Sequence, residues 1–235
     1  MAPPDRSATP ASRPALAPPP LPAAVHRLRE RLRHVLWLGG SACSGKTEAA
    51  HRLAADHRLA IYHTDDAFER HRRRADPRRH AAFCRVADLS NEELWQAPAA
   101  QQAGELLAFH GEHLEMVIED LARSPPGRPL LVEGSCLLPA RVGQLISHPR
   151  QALWLLATPR FRRRHYAARG PWVEARLASC AEPAAAFSRW MARDDALAEW
   201  RRCELVRLGL PWRIVDGRLT NSALAAAATL HFGLA

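Results

Sequence analysis

The chain has 235 residues, and its 47% hydrophobic content is enough to build one large domain with a substantial core. No apolar run reaches the roughly 18 residues that a membrane-spanning helix requires, and the five scattered cysteines form no CxxC pair. This cysteine pattern suits a reducing cytoplasm better than a disulfide framework or a zinc site. The net charge of +9 would suit nucleic acid as a partner, but a solvated basic surface is the commoner cause of such a charge.

The first 22 residues are rich in proline and alanine and lack the long apolar run of a secretory signal. A segment of this composition buries too little apolar surface to fold. We therefore predict a disordered tail over residues 1–22 and one folded domain over residues 23–235.

The stretch from His34 to Ala54, "HVLWLGGSACSGKTEAAHRLA", joins an apolar run to a glycine-rich turn and then to a helical pattern. Strand, turn and helix in this order are the context in which the pattern GxxxxGK[ST] binds phosphate. Backbone N–H groups of the turn and the positive end of the helix would surround the anion. The predicted nucleotide-binding residues are Gly40, Ser41, Ala42, Cys43, Ser44, Gly45, Lys46 and Thr47.

Lys46 is the only lysine among 33 basic residues, and this supports the phosphate-binding interpretation. Its ammonium group is a compact charge on a flexible stem, so it can reach between the β- and γ-phosphates where a planar guanidinium fits poorly. GTPases read guanine with an Asn-Lys-x-Asp loop, which needs a second lysine, so the sequence excludes that class.

A second apolar run, Leu59 to His63, is followed by the adjacent acids Asp65 and Asp66. Residues just beyond a parallel strand line the ligand crevice of an α/β sheet. Carboxylates there could polarise an acceptor hydroxyl and hold Mg²⁺ through water, so both acids are predicted catalytic residues. The alternative is that one of them only caps the next helix.

A third apolar run, Leu130 to Glu133, also ends in an acid. We predict that Glu133 orients the water shell of a Mg²⁺ ion. A carboxylate buried at this place without a cation or donors nearby would be costly.

A fourth strand, Ala152 to Leu156, precedes a helix with readable ends. Thr158 is expected to cap it, Pro159 to occupy its first position and Gly170 to close it. This helix belongs to a predicted lid over about residues 158–180. A last strand, "PWRIVDG", and a last helix, "TNSALAAAATLHF", follow later in the chain.

The predicted lid is rich in arginine. Mobile arginines neutralise the charge of a phosphoryl transition state and help to exclude water. The arginines of the helix are Arg160, Arg162, Arg163, Arg164 and Arg169. Of these, Arg164 and Arg169 are the predicted catalytic residues.

The region 67–123 is expected to bind the acceptor. It begins with six arginines within residues 70–79, which suit an acceptor bearing carboxylate or phosphate, or simply a solvated face. A long amphipathic helix follows, and it carries His110 and His113. We expect these histidines to lie on the surface or to face the acceptor rather than to bind metal.

The motifs GGSACSGKT, YHTDD and LLVEG, together with the arginine-rich lid, resemble those of the small P-loop kinases, the nucleoside-monophosphate-kinase and shikimate-kinase-like phosphotransferases. The resemblance covers about residues 33–232. The lid sequence "FRRRHYAARGPWV" and the helix "WMARDD" are also similar to those of bacterial P-loop kinases.

The resemblance implies a three-layer α/β P-loop NTPase fold, with a five-stranded parallel sheet in the order 2-3-1-4-5 and a helical arginine-rich lid. It also implies that ATP with Mg²⁺ is the phosphate donor, that Thr47 holds the Mg²⁺ ion and that the acceptor binds after the second strand. The sequence departs from the family in two respects. It has no recognisable acceptor-nucleotide signature, and adjacent acids replace the DxD spacing of shikimate-type enzymes.

The predicted function is therefore ATP-dependent phosphoryl transfer to a small hydroxyl-bearing molecule. Three alternatives remain. They are a polynucleotide kinase, a regulatory module that binds ATP without transfer, and a toxin-like kinase that acts on a sugar nucleotide.

Overall fold

A computed structural model describes residues 23–125 and 127–234. The predicted disordered tail, residues 1–22, lies outside the described residues and stays a prediction, as do the domain boundaries. The strands are β1 (Val35–Gly40), β2 (Ala60–His63), β3 (Leu130–Glu133), β4 (Ala152–Ala157) and β5 (Trp212–Val215). The helices are α1 (Ala23–Arg31), α2 (Lys46–His57), α3 (Phe68–Arg74), α4 (Ala81–Asp88), α5 (Asn91–Gln96), α6 (Ala99–Arg123), α7 (Pro139–Leu145), α8 (Pro159–Ala168), α9 (Pro171–Leu177), α10 (Pro183–Leu208) and α11 (Asn221–Phe232), with a short 3₁₀ helix at Pro149–Gln151.

The five strands form one parallel sheet in the order β2-β3-β1-β4-β5. The central strand β1 pairs with β3 on one side and β4 on the other, with Val35 opposite Leu130 and Leu38 opposite Leu153. The predicted α/β architecture and the predicted strand order are therefore confirmed.

Helices cover both faces of the sheet, which is why the inner strands are apolar along their whole length. On one face, α2 and α11 bury Leu53 and Leu224 against the sheet. On the other face, α6, α7 and α10 contribute Leu114, Val142 and Leu205 to a second core. The two cores fix the strands rigidly, so the loops at the carboxyl ends of the strands have defined positions.

Two glycines allow close approaches at the carboxyl edge of the sheet. Gly40 has φ of 144°, and a Cβ atom there would collide with the backbone of Leu155. A Cβ atom on Gly134 would collide with the side chain of Thr64. The ends of β2 and β3 therefore lie in contact, which places Asp65 beside the end of β3.

The lid region packs on α5 and α10 through stacked aromatic rings. The helix α8 begins as predicted, because the Thr158 hydroxyl accepts a hydrogen bond from the N–H of Phe161 (3.3 Å). The rings of Trp95 and Trp190 stack at 4.7 Å, and Tyr166 lies 4.8 Å from Trp190. Trp190 is buried, so this aromatic cluster anchors α8 and α9 to the domain.

Within the described residues, no helix combines the length and the apolarity needed to cross a lipid bilayer.

Candidate active site

The turn between β1 and α2, residues 41–45, is called the P-loop here. The backbone N–H groups of residues 42–46 donate no hydrogen bond to any other described residue. Cys43 (φ 56°) and Gly45 (φ 77°) adopt left-handed conformations, which bend the loop back over its own amides. Unpaired amides at the start of a helix form an anion-binding site, so the loop fits a phosphate group.

Serine side chains hold this loop in place rather than pointing outward. The Ser41 hydroxyl accepts a hydrogen bond from the N–H of Ala157 (2.8 Å), which ties the loop to β4. The Ser44 hydroxyl donates to the carbonyl oxygen of Ser41 (2.9 Å), and both serines are buried. The two side chains therefore support the cradle, while its backbone remains available to a ligand.

Lys46 is buried at the base of the P-loop. Its Nζ donates to the carbonyl oxygen of Ser41 (2.8 Å). Burial lowers the pKa of Lys46, and the carboxylates of Glu133 and Asp65 act in the opposite direction. A buried ammonium that is bonded only to a loop carbonyl is suited to an incoming anion, which would replace that contact.

Thr47, Glu133 and His63 meet at the end of β3. The same carboxylate oxygen of Glu133, Oε1, lies 3.1 Å from the Thr47 hydroxyl and 2.8 Å from Nδ1 of His63. Glu133 is buried, and a buried carboxylate needs compensating groups. The two donors and the nearby Lys46 provide them.

The oxygens of this group are of the type that Mg²⁺ prefers. Among the described residues, no cluster of three or more His, Cys, Asp or Glu side chains could hold a metal ion without further ligands. Mg²⁺ commonly takes one or two protein oxygens and completes its shell with water and substrate phosphates. Thr47 and Glu133 can provide such a partial shell beside the P-loop.

The two adjacent acids after β2 have different surroundings. Asp65 lines the space between the P-loop and α10, where the surrounding protein removes part of the water from its carboxylate. Burial by the surrounding protein raises its pKa, and the charge of Lys46 acts against this shift. Asp66 is exposed and lines neither of the cavities that Asp65 borders.

A space of about 200 Å³, the central cleft, lies between the P-loop residue Ala42, Asp65 and the long helix α10. Arg193 and Arg201 of α10 line it on the side opposite Asp65. A larger apolar groove of about 350 Å³ beside β5 contains none of the predicted site residues. Of these two cavities, only the central cleft is lined by an acid, by cations and by the P-loop. It is therefore the candidate site of the reaction.

Arg201 is a buried cation that lacks a carboxylate partner within the described part of the chain. One of its terminal nitrogens, Nη2, contacts the carbonyl oxygen of Ser135 and lies 3.2 Å from Nδ1 of His110. Its Nε is buried without a hydrogen-bond partner. Burial lowers the pKa of Arg201 to about 10, so the guanidinium is still charged at neutral pH. An anion in the cleft would complete its bonding.

Arg193 is held in place by its neighbours. It donates to Asp194 (2.7 Å), which also accepts a hydrogen bond from the Tyr166 hydroxyl (3.0 Å). Its guanidinium lies 4.6 Å from the ring of Trp95.

The sequence analysis did not identify Arg193 or Arg201 as site residues. The sequence nevertheless contains a pattern that singles out Arg201. Arg201 interrupts the buried stripe of Leu197, Ala198 and Leu205, where a charged residue needs a partner.

The arginines of the predicted lid differ in burial and in the residues that they contact. Arg162 is buried, donates to the carbonyl oxygen of Ala157 (2.8 Å) and pairs with Asp195 (2.9 Å), so it holds α8 in place. Arg164 is exposed and lies against the loop that contains Gly217. Arg169 borders the P-loop. Neither of the two predicted lid residues lines the central cleft. Arg169 borders a cavity beside the P-loop, whereas Arg164 lines neither of these two cavities.

A smaller cavity of about 150 Å³ lies on the other side of the P-loop. It is bounded by Cys43, Ser44, Gly45, Phe161, His165, Arg169, Val215, Asn221 and Leu224. It combines an aromatic wall from α8 with polar groups at the start of α11, which suits a planar base.

The arginines at residues 70–79 are largely paired with acids outside the central cleft. Arg70 and Arg74 contact Asp120 at 3.0 and 2.6 Å. Further pairs join Arg72 to Asp88 (2.9 Å) and Arg79 to Glu119 (2.7 Å). None of the residues at positions 70–79 lines the central cleft.

Neither a protein-family model nor a curated protein matches the sequence. Among solved structures, the chain is similar to the YorR protein of Bacillus subtilis in complex with phosphorylated GDP (13% identity, 85% of this chain and 96% of that chain, TM-score 0.40). It is also similar to a sugar kinase of Janibacter sp. HTCC2649 (16% identity, 86% and 96%, TM-score 0.38) and to a candidate kinase of Chloroflexus aurantiacus (16% identity, 85% and 99%, TM-score 0.39). These neighbours include kinases, but at such identities and TM-scores the likeness carries no argument about the reaction of this chain.

Proposed function

We propose that the protein is an ATP-dependent phosphotransferase that moves the γ-phosphoryl group of ATP to a hydroxyl group bound beside Asp65. The observation that carries this proposal is the central cleft, because Ala42 of the P-loop, the carboxylate of Asp65 and the unpaired cation Arg201 line one cavity. A donor site, an acceptor site and a group that stabilises transferred charge are the three parts that phosphoryl transfer requires.

The donor side of the site is formed by the P-loop. The unpaired amides of residues 42–46 would bind the phosphates, and Lys46 would exchange its contact with Ser41 for phosphate oxygens. The cavity beside Phe161 and Asn221 would accept the base of the nucleotide. Arg169, which borders the same cavity, would contact the phosphates from the lid side.

Thr47 and Glu133 would hold Mg²⁺ together with the phosphates. The ion would supply charge neutralisation between the β- and γ-phosphates. Thr47 and His63 both form a hydrogen bond with Glu133, and these two contacts hold its carboxylate beside the P-loop.

Asp65 and Arg201 would serve the transfer itself. The Asp65 carboxylate would accept a hydrogen bond, and then the proton, from the acceptor hydroxyl as its oxygen bonds to the γ-phosphorus. The bond from that phosphorus to the bridging oxygen would break at the same time, and ADP would leave with the oxygen. Arg201 would donate to the equatorial oxygens of the phosphoryl group, whose charge is greatest between donor and acceptor. Both side chains line the cleft before any ligand binds, so little rearrangement is needed.

The proposal is tested with Lys46→Arg, assayed for ADP release against a panel of hydroxyl-bearing metabolites. The variant keeps the charge but places a broad guanidinium where a compact ammonium fits, so transfer should fall by about a hundredfold or more. Arg52→Lys is the matched control, because it makes the reverse exchange on the exposed side of the same helix, and it should retain full activity.

Two results would contradict the proposal. A fully active Lys46→Arg enzyme would overturn the phosphate-binding role of the P-loop. If the parent protein binds ATP in calorimetry but transfers phosphate to no acceptor, the regulatory alternative is favoured instead.

A further inference from the structure

We propose that the acceptor is a small uncharged molecule with a hydroxyl group and an apolar ring, and that it binds in a recess beyond Asp65. The recess has a volume of about 240 Å³ and is called the aromatic recess here. It is lined by Asp65, Phe68, Phe109, His110, His113 and Cys136. This inference rests on the proposed function and adds the chemical class of the acceptor.

The aromatic recess adjoins the central cleft, because Asp65 and His110 line both. A hydroxyl group at Asp65 would therefore have the P-loop on one side and the recess on the other. The γ-phosphoryl group approaches through the cleft, so the rest of the acceptor must extend into the recess. The chemistry of the recess wall thus selects the acceptor.

One wall of the recess consists of phenylalanine rings. Phe109 stacks on the fully buried Phe83 with centroids 4.9 Å apart and an angle of 4°. Phe68 lies 6.1 Å from Phe109 in a tilted arrangement. Phe68 and Phe109 are only partly buried, so they present ring surface to the recess that a ligand ring could cover.

The deeper wall carries no charge at neutral pH. Burial and the neighbouring His71 lower the pKa of His113 to about 3. Burial raises the pKa of the Cys136 thiol to about 12, and it lowers the pKa of His110 well below its ordinary value. A carboxylate or phosphate of an acceptor would lose its hydration in the recess without gaining a cation.

The arginines that could have met such a charge are elsewhere. Arg70 and Arg74 follow the recess residue Phe68 closely in sequence, but both pair with Asp120 behind the aromatic recess. Arg201 faces the central cleft, where the transferred phosphoryl group needs it. The geometry therefore does not favour the anionic acceptor that the arginines at residues 70–79 suggested.

His110 is arranged to recognise a hydroxyl group together with Asp65. Its Nδ1 lies 3.2 Å from Nη2 of Arg201. A guanidinium can only donate, so Nδ1 must accept, and the proton of the neutral ring is carried by Nε2. This Nε2–H has no acceptor among the described residues. A hydroxyl group can donate to Asp65 and accept from His110 at once, whereas a carboxylate would be repelled by Asp65.

His113 contributes an uncharged ring to the recess rather than a polar contact. Its side chain lines the recess, but its Nε2 is buried out of reach of a ligand and has no partner in the described structure.

The test compares matched pairs of acceptors with the full chain, ATP and Mg²⁺. The uncharged probes are benzyl alcohol and cyclohexylmethanol. Their anionic counterparts are 4-(hydroxymethyl)benzoate and 4-(hydroxymethyl)cyclohexanecarboxylate. We expect kcat/KM for at least one uncharged probe to exceed that of its counterpart by about tenfold or more.

Two variants of the aromatic wall make the test specific. Phe109→Ala should raise KM for the uncharged probes by about tenfold and leave the Kd of ATP unchanged, because it removes ring contact from the acceptor alone. Phe109→Lys should shift the preference toward the anionic members of the pairs, because it places a cation in the recess.

The outcomes separate this inference from the proposed function. It is overturned if the anionic members are the better substrates, or if no uncharged probe is phosphorylated or binds in calorimetry while ATP binds normally. Failure of ATP itself to bind would instead overturn the proposed function.

Discussion

Asp65 and Asp66 are neighbours in sequence, yet the fold gives them different surroundings. Asp65 lines the central cleft, whereas Asp66 is exposed and does not line it. The sequence alone left open which acid acts. The structure favours Asp65, and this choice can be tested because each acid controls for the other.

Asp65→Asn should reduce phosphoryl transfer by about a hundredfold or more and leave ATP affinity within about threefold. The amide cannot take the hydroxyl proton, whereas ATP is bound by the P-loop. Because burial raises the pKa of Asp65 and the ionised form is required, the parent rate should fall as the pH drops through that raised pKa.

Asp66→Asn is the matched control for this prediction, since it makes the same change one residue away and should retain most of the transfer rate. The measurements are ATP affinity by calorimetry and the transfer rate of both variants as a function of pH. A greater loss with Asp66→Asn than with Asp65→Asn would reverse the assignment.

At the scale of secondary-structure elements, α10 shows that one sequence cannot reveal which distant side chains meet in a site. Its 26 residues begin more than 130 positions after the P-loop, and only tertiary packing brings Arg193 and Arg201 to the same cleft. The sequence pattern predicted the Thr158 cap of α8, which is a local feature. The positions of the two arginines depend on long-range contacts instead.

The helix α6 illustrates a related limit. Its apolar stripe was predicted, and residues such as Leu114 and Val117 face the sheet as expected. On its polar side, Glu112 accepts hydrogen bonds from the N–H groups of Ala82 and Phe83 in the first turn of α4. The periodicity of one helix cannot reveal which neighbour packs on its polar side. The surface alternative for His110 and His113 is wrong for the same reason, because both are buried and line the aromatic recess.

The helices α3 and α6 are joined through one carboxylate. Asp120 accepts hydrogen bonds from the Tyr62 hydroxyl (2.7 Å) and from Nε2 of His71 (2.9 Å), in addition to its two arginine partners. Burial alone would raise the pKa of Asp120, but these four donors lower it well below its usual range. His71 in turn packs edge-on against His113 at 5.1 Å, so the network supports the floor of the aromatic recess.

Asp120→Asn should lower the free energy of unfolding by about 2–3 kcal/mol, because it removes the charge that balances two arginines in a partly buried site. The depressed pKa means that Asp120 stabilises the fold above the pKa of an unfolded aspartate, and that this contribution is lost as the pH falls toward the folded value. The variant should therefore lose less stability on acidification than the parent does.

Asp88→Asn is the control for this network, since the Asp88–Arg72 pair is exposed and should contribute less than about 1 kcal/mol. Urea unfolding at neutral and acidic pH measures both variants. Equal stability of Asp120→Asn and the parent at neutral pH would show that the network does not hold α3 on α6.

At the scale of the whole molecule, the site is assembled at one edge of the sheet. The P-loop follows β1, Asp65 follows β2, Glu133 ends β3, α8 follows β4 and the loop to α11 follows β5. In a parallel sheet the carboxyl ends of all strands lie at the same edge, so the connections converge there. The apolar runs in the sequence were sufficient to predict this convergence, although not which side chains would meet.

The net charge of +9 is a property of the whole molecule. It raises the question of whether nucleic acid is the acceptor. The arginines at residues 70–79 would be the natural phosphate contacts, but four of them pair with acids. The buried lid residue Arg162 is likewise engaged by Asp195. Charges that are neutralised within the fold contribute little to binding of a nucleic-acid backbone.

We therefore expect the protein to leave the 5′-hydroxyl end of a short single-stranded DNA or RNA unphosphorylated, at the background set by Lys46→Arg. The central cleft and the aromatic recess have volumes of about 200 and 240 Å³, which suit one small molecule rather than a strand. The measurement is transfer of labelled γ-phosphate from ATP to the oligonucleotide at about 50 and 200 mM salt. Non-specific binding driven by the net charge would appear at low salt and fall steeply as salt increases, without transfer. Labelled oligonucleotide at both salt concentrations, abolished by Asp65→Asn, would show instead that the site accepts nucleic acid and that the small-molecule assignment is wrong.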